Sequence, residues 1–210
     1  RRGPFYDRVL ERVEPLPGVA AAGYSTSIPL EWKGGTSEFA IEGRAPDPQL
    51  PYDANHRQVS AGYLQALGVP LRRGRYFQPA DDARAPAVAI VNETLARQYW
   101  PGRDPIGSRI AIDPPRPGAD DRVAAWRTVV GVVGDVRQMG LDAPARAEVY
   151  LPYRQFDLQP WFTPRDLVVR TAGNPVNLVN AVKRQVHAVD PGLAVSNIRT
   201  FEEVLDEDVA

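Results

Sequence analysis

Two histidines, His56 and His187, are the side chains in this sequence best suited to proton transfer or metal binding at neutral pH. Neither has a second histidine three or four residues away, the spacing that places two metal ligands on one face of a helix. His187 falls with Lys183 and Arg184 on the polar face of a predicted helix, so we expect it to be solvated. His56 follows a proline-rich loop, and no motif supplies the oriented partner that a general base needs. We therefore predict no catalytic residue and no metal site.

The other chemical motifs are weak. The adjacent acids Asp81-Asp82 and Asp120-Asp121 point apart in an extended chain and lack the alternating pattern of a calcium loop. The glycine-containing run 131–135 interrupts a predicted strand with no helix after it, so we expect close strand packing or a β-bulge rather than a phosphate loop. The lack of cysteine excludes disulfides, thiolate nucleophiles and cysteine zinc sites. We predict that the protein uses no cofactor and is not an enzyme.

A function based on contacts fits the sequence better than one based on catalysis. Three aromatic residues in predicted loops are candidates for partner contact, with burial in the protein as the alternative: Trp32, Trp161 and Phe162. Three closely spaced arginines form a second candidate, a basic patch for an acidic partner or lipid headgroups, with a solvated edge as the alternative: Arg72, Arg73 and Arg75.

The composition limits the choice of partners and of architecture. The 210 residues carry 25 basic and 26 acidic side chains, a net charge of −1, so no overall field attracts a polyanion and nucleic-acid binding is not expected. No apolar run approaches the roughly 18 residues that a membrane-spanning helix requires. The 21 prolines predict many short elements joined by structured turns.

Hydrophobic periodicity predicts a mixed α+β protein. Helices are expected at 5–14, 61–67, 93–100 and about 175–189, and a last helix begins after a capping box made by Thr200 and Glu203. Ser60 and Asn92 are the predicted N-caps of the second and third helices, and Gly68 is the predicted left-handed residue that ends the second. Strands are expected at 19–28, 38–42, 57–60, 87–91, 108–112, 127–136, 147–153, 167–170 and 193–198. The last strand would complete a β-α-β unit.

The order of these segments resembles the MacB-like periplasmic core domain, the large extracytoplasmic insert of FtsX-like ABC transporter permeases. No single segment is diagnostic, but their order and spacing together are specific, and they cover nearly the whole chain. The segments that carry the resemblance are 59–68, 74–77, 88–93 with 96–101, 104–107, 129–136, 148–153 and the strand–helix unit ending at Asp190-Pro191.

The resemblance implies a two-lobed fold and a role in transport. A porter-like α+β lobe would comprise residues 1–68 and 155–210, and an inserted, mostly β, sabre-like lobe would comprise residues 69–154. The parent would be a permease, itself dimeric, in a bacterial inner membrane, with this domain on the periplasmic side. A cytoplasmic ATPase subunit would drive mechanotransmission to this non-catalytic domain, which would act on a substrate, a periplasmic adaptor or a lipoprotein.

The ends of the sequence agree with that expectation. The chain begins at Arg1 rather than methionine, and its last predicted helix has no stop signal before Ala210. We therefore expect a segment cut from a longer protein, with apolar stretches of roughly 20 residues on both sides. Two other functions remain open at this point. A ligand-binding sensory module of a membrane receptor would show a preformed pocket, and a hydrolase would place His56 beside a serine or an aspartate.

Overall fold

A computed structural model describes residues 3–31, 36–45, 47, 49–114, 125–156 and 163–209. Its helices are α1 (Gly3–Val13), α2 (Tyr63–Leu67), α3 (Glu93–Tyr99), α4 (Val179–Val189) and α5 (Phe201–Asp208). Its strands are β1 (Val19–Ser25), β2 (Ser37–Ile41), β3 (Asp53–Val59), β4 (Leu71–Gly74), β5 (Val88–Asn92), β6 (Arg109–Ile112), β7 (Arg127–Val133), β8 (Glu148–Pro152) and β9 (Asp166–Thr171). The fold is therefore mixed α+β with a core dominated by its sheet.

All nine of these strands belong to one hydrogen-bonded sheet. The order is β2-β6-β7-β5-β8-β3-β1-β9, and β4 pairs with the end of β7 that β6 leaves free. A further pairing between β2 and β3 closes the first six strands into a ring. Strands from the two predicted lobes pair with each other at two places in this sheet, since β6 pairs with β2 and β8 pairs with β3.

The central strands alternate their side chains between two apolar layers, as a period of two requires. In β5, Ala89 and Val91 face one layer while Val88 and Ile90 face the other. The first layer includes residues of α3 and the second includes residues of α2. Because both faces are covered, every residue of β5 and β8 is buried. A third cluster packs α1 and α4 against β1.

Local signals in the sequence are confirmed at several positions. The Asn92 side chain accepts a hydrogen bond from Leu95 N at 3.0 Å and so caps α3. Gly68 ends α2 with a left-handed φ of 74°. The capping box between Thr200 and Glu203 is present at the start of α5.

The expected close packing of glycine in β7 is also confirmed. A Cβ atom on Gly131 would lie 2.3 Å from the carbonyl oxygen of Arg75, a distance that the backbone cannot tolerate. The expected irregularity is also present, because the consecutive residues Ala89 and Ile90 of β5 pair with Val129 and Gly131 and so leave one extra residue in β7.

Two local predictions are wrong. Ser60 does not cap α2, whose N-cap is Gly62. The Ser60 hydroxyl instead accepts a hydrogen bond from Tyr24 N at 2.9 Å. Residues 193–198 do not form a strand, so the β-α-β unit is incomplete. Asn197 adopts a left-handed φ of 55°, which turns the chain away from an extended path, and Leu193 and Ile198 remain exposed.

Among the described residues, no helix combines the length and the apolar character needed to cross a bilayer.

Candidate partner-contact surface

An open groove of about 460 Å³ lies where α3 and β4 meet the turn that follows α3. We call it the arginine groove. Its lining includes four arginines and two carboxylates, and one of the arginines, Arg97, pairs with a third carboxylate, Asp135, at 3.1 Å. The lining residues are Arg72, Arg73, Glu93, Ala96, Arg97, Trp100, Pro101, Gly102, Arg103, Asp104, Pro105 and Val132.

Helical spacing brings the residues of α3 to one side of this groove. Glu93, Ala96, Arg97 and Trp100 follow the i, i+3, i+4, i+7 pattern of a single helix face. The helix is held at its first turn by the Asn92 cap, which lies outside the groove. Thr94, in that turn, donates two hydrogen bonds to the Asp135 carboxylate, one from its N–H group and one from its hydroxyl, each at 2.8 Å. These contacts hold the start of α3, and with it one wall of the groove.

Trp100 forms the floor. Only 3% of its surface is exposed, and its indole N–H donates to the Ser108 hydroxyl at 3.0 Å. The guanidinium of Arg44 lies 5.4 Å from the centre of its ring, within the range of a cation–π contact. Val132 of β7, which is 4% exposed, continues the apolar floor.

Arg97 donates to the Thr94 hydroxyl at 2.8 Å and to the Asp135 carboxylate at 3.1 Å, whereas Arg72 and Arg73 have longer contacts. Arg72 lies 3.3 Å from a Glu93 oxygen, and Arg73 lies 3.9 Å from an Asp104 oxygen. The side chains of both arginines are more than half exposed. Exposed ion pairs of this kind contribute about 0–1 kcal/mol, so a competing carboxylate can replace them at little cost.

Arg75 does not join the other two arginines of the predicted patch. Its guanidinium binds both oxygens of Asp81, at 2.7 and 2.8 Å. Burial would raise the pKa of Asp81, but the hydrogen bonds from Arg75 and from Gln78 N outweigh it and lower that pKa. Arg75 thus stabilises its own loop, while Arg72 and Arg73 line the groove.

The aromatic candidates Trp32, Trp161 and Phe162 all lie outside the described residues. The structure therefore leaves their role as a prediction. Asp120 and Asp121 also fall outside the described part of the chain.

The histidines lie apart from the groove. His56 is on β3, where burial, the largest influence, lowers its pKa. His187 is exposed on the last turn of α4. Within the described ranges, no three histidines and carboxylates lie close enough together to hold a metal ion.

Sequence reasoning missed a buried ion pair between β3 and β8. Arg57 donates to Glu148 at 2.5 Å, and the two side chains are 4% and 1% exposed. Gln138 donates to both Glu148 oxygens at 3.1 Å, and Arg57 also donates to the Ser27 hydroxyl. Burial raises the pKa of Glu148, and Arg57 and Gln138 oppose that effect. The sequence offered little signal for this pair, because β3 also carries Asp53, His56 and other polar residues, and the two partners are 91 residues apart in the chain.

Comparison with known proteins identifies a matching family and proteins of similar fold. Residues 1–189 match the model of the MacB-like periplasmic core domain. The periplasmic region of MacB from Actinobacillus actinomycetemcomitans superposes with a TM-score of 0.56 and 13% identity, over 86% of this chain and 72% of that one. The extracellular domain of the noncanonic ABC-type transporter YknZ from Gram-positive bacteria gives a TM-score of 0.52 and 13% identity, over 88% of this chain and 81% of that one.

The comparison with curated protein sequences gives no significant match. The structural neighbours share the fold at low identity, and the family model covers about nine-tenths of the sequence. The resemblance noted in the sequence is confirmed, and this chain belongs to the family of MacB-like periplasmic core domains.

Proposed function

We propose that this chain is the extracytoplasmic domain of an ABC transporter permease, a non-catalytic module that couples ATP-driven motion of the membrane part to a substrate or a partner protein. The observation that carries the proposal is the attachment of the first and last helices to the sheet. A displacement applied to either helix would therefore reach the sheet.

The first helix is anchored by its apolar face and by one acid. Val9 and Val13 are completely buried in the cluster shared with β1 and α4. Asp7 lies 2.7 Å from the Arg154 guanidinium and accepts a hydrogen bond from the Tyr153 hydroxyl. These two partners directly follow β8, so α1 is tied to the centre of the sheet.

The last helix is attached at both of its ends. Near its start, Arg199 forms ion pairs with Glu31, in the loop after β1, and with Glu207 of the helix itself. At its last turn, Asp208 accepts a hydrogen bond from Leu141 N at 2.9 Å. Between them Val204 is buried. A pull on α5 therefore acts on two separate loops of the sheet.

The remaining features of the proposal come from the family. MacB and YknZ are ABC-type transporters whose matched regions are periplasmic and extracellular, respectively. We place this domain on the periplasmic side of a bacterial inner membrane, linked to a cytoplasmic ATPase subunit through membrane helices outside residues 1–210, in a dimeric parent. A periplasmic adaptor or lipoprotein is the expected partner. The division into a lobe of 1–68 with 155–210 and an inserted lobe of 69–154 stays a prediction.

Accessibility to a membrane-impermeant maleimide in intact spheroplasts tests this placement. The domain has no cysteine, so Arg84→Cys introduces one reactive thiol at a side chain that is 91% exposed, in a full-length protein whose other cysteines are replaced. We expect labelling without lysis. A matched control, Val91→Cys at a completely buried position, should react only after denaturation. Labelling of Arg84→Cys only after lysis would overturn the proposed location.

A further inference from the structure

We propose that the outer edge of β9 pairs with the segment of the parent protein that leads into α1, and that this segment runs antiparallel to β9 as an additional strand. The proposal rests on the proposed function, since it takes residues 1–210 as one domain of a longer permease. It adds the place at which displacement from the membrane would enter the sheet. Three features support it: unpaired backbone groups on β9, a partly exposed apolar face on α4 and the direction of α1.

β9 lies at the end of the sheet and, among the described strands, pairs with β1 alone. Tyr24 of β1 lies opposite Leu167, but its N–H and C=O groups both bond to Ser60 on the far side of β1. Opposite residues of an antiparallel pair exchange both hydrogen bonds or neither, so Leu167 and Val169 direct their N–H and C=O groups away from β1. Within the described ranges these groups have no hydrogen-bond partner. An edge of this kind pairs readily with another extended segment.

The apolar face of α4 lies beside the same edge. Its apolar stripe consists of Leu178, Val179, Val182, Val186 and Val189. Val186 is buried, and the others are partly exposed, since α4 packs chiefly against α1. Val182 and Val189 belong to the cluster that also includes Leu167 and Val169, so the helix and the edge border one apolar layer. A strand added to β9 would extend that layer under α4, and burial of apolar surface would add to the backbone pairing.

The course of α1 gives the added strand a source and a direction. α1 packs beside α4 against β1 and continues into β1 through residues 14–18. A strand that precedes such a helix runs parallel to the strand that follows it, as in a β-α-β crossover. In the split form of this unit, another strand lies between the two parallel ones. Since β9 is antiparallel to β1, a strand parallel to β1 and placed beyond β9 is antiparallel to β9.

Residues 193–198, predicted from the sequence as a strand, do not lie along this edge. Asn197 has a left-handed φ of 55°, and its side-chain amide donates to Glu31 at 2.9 Å. Arg199 forms an ion pair with the same carboxylate. Because Glu31 lies in the loop after β1, these contacts hold the segment at that loop and leave the edge of β9 to another strand.

Hydrogen–deuterium exchange of the full-length permease in nanodiscs tests whether the edge is paired. We expect the amides of Leu167 and Val169 to exchange at least about tenfold more slowly than solvent-exposed amides do. Val168 and Arg170 provide the matched control, because their N–H groups face β1 and report that β9 itself is folded. Rapid exchange at Leu167 and Val169 beside slow exchange at Val168 and Arg170 would overturn the proposal.

Cysteine pairs identify the source of the strand. Opposite residues of an antiparallel pair have Cα atoms about 4.5–5.5 Å apart, which a disulfide can bridge. Leu167→Cys and Val169→Cys are each combined with single cysteines along the roughly 20 residues ahead of Arg1, enough for one strand and its connection. We expect each to form a disulfide within one polypeptide, with the partner of Leu167→Cys two residues nearer to Arg1 than the partner of Val169→Cys. The opposite order would show a parallel strand and contradict the proposal.

Two other occupants have distinct outcomes. Disulfides between copies, seen as a doubled mass on a non-reducing gel, would assign the edge to a second copy and overturn the proposal. Slow exchange at the edge without any disulfide to the scanned segment would assign it to a different strand and equally overturn it. Arg84→Cys, in an exposed loop, is the matched control and should form none of these disulfides. Its maleimide labelling does not depend on the edge, so failure of this proposal and failure of the extracytoplasmic location are separate observations.

Discussion

Replacing Glu148 by glutamine removes the negative charge from the ion pair buried between β3 and β8. Only 4% of the Arg57 side chain is exposed to solvent, so its guanidinium lies in the interior of the protein. The carboxyl at 2.5 Å is its charged partner in that environment. Breaking a buried pair on one side costs about 3–5 kcal/mol because the remaining charge is left uncompensated. We expect Glu148→Gln to lower the free energy of unfolding by that amount at pH 7.

Urea denaturation followed by circular dichroism measures this loss as a shift in the midpoint at constant slope. The exposed pair between Arg109 and Glu42 gives a matched control. Its separation is a comparable 2.8 Å, but its side chains are 44% and 46% exposed, so Glu42→Gln should cost less than about 1 kcal/mol.

A double-mutant cycle completes the test. Arg57→Met combined with Glu148→Leu removes both charges. The double variant should lose less free energy of unfolding than the sum of the losses of Arg57→Met and Glu148→Leu measured alone. A loss for Glu148→Gln no larger than that for Glu42→Gln would refute the reasoning that burial sets the strength of this pair.

Three further predictions concern local structure. Asn92→Ala should lower the free energy of unfolding by about 2 kcal/mol, and Thr200→Ala by about 0.5–1 kcal/mol, because the Asn92 cap is completely buried and the Thr200 cap is solvated. The urea midpoints of the two variants, each compared with wild type, measure these losses. Gly131→Ala should leave little soluble protein in expression trials, whereas Gly173→Ala should express normally, because only the Cβ at position 131 would meet a backbone carbonyl. Asp81 has a lowered pKa, so its stabilisation is complete above its ordinary value of 3.8 and is lost as pH falls through the folded value. The difference in melting temperature between wild type and Asp81→Asn should therefore be largest at neutral pH and shrink in acid, and a difference that grew in acid would contradict the assignment.

Local chemistry made much of the fold predictable from the sequence. An asparagine before an amphipathic run and a glycine after one identified the limits of α3 and α2, because capping depends only on neighbouring residues. Apolar runs and alternation identified most strands of the sheet on the same local basis, but not β4, which contains two exposed arginines. The strand prediction for 193–198 failed because Asn197 takes a left-handed conformation, which the largely apolar composition of the segment does not encode.

Long-range pairing accounts for what the sequence could not indicate. The order of strands in the sheet, and with it the meeting of Arg57 and Glu148, depends on contacts between residues far apart in the chain. The arginine groove has the same origin. Arg72 and Arg73 were predicted as a patch, but Trp100 and Val132 complete the site only after β4, α3 and β7 come together. Arg75 was set apart from the patch by its bidentate contact with an acid six residues away.

The central claim is that ATP-driven motion in the membrane reaches this domain, and a distance measurement tests it directly. A nitroxide on Arg84→Cys in each copy of the dimeric parent, with its ATPase subunit in nanodiscs, reports the separation of the two domains by electron double resonance. The account predicts that this distance distribution differs between the nucleotide-free and ATP-trapped states. It also predicts that Asp208→Ala, which removes the contact of α5 with Leu141 N, reduces the difference while ATP hydrolysis continues. Identical distributions in the two states of an actively hydrolysing wild-type complex would contradict the account.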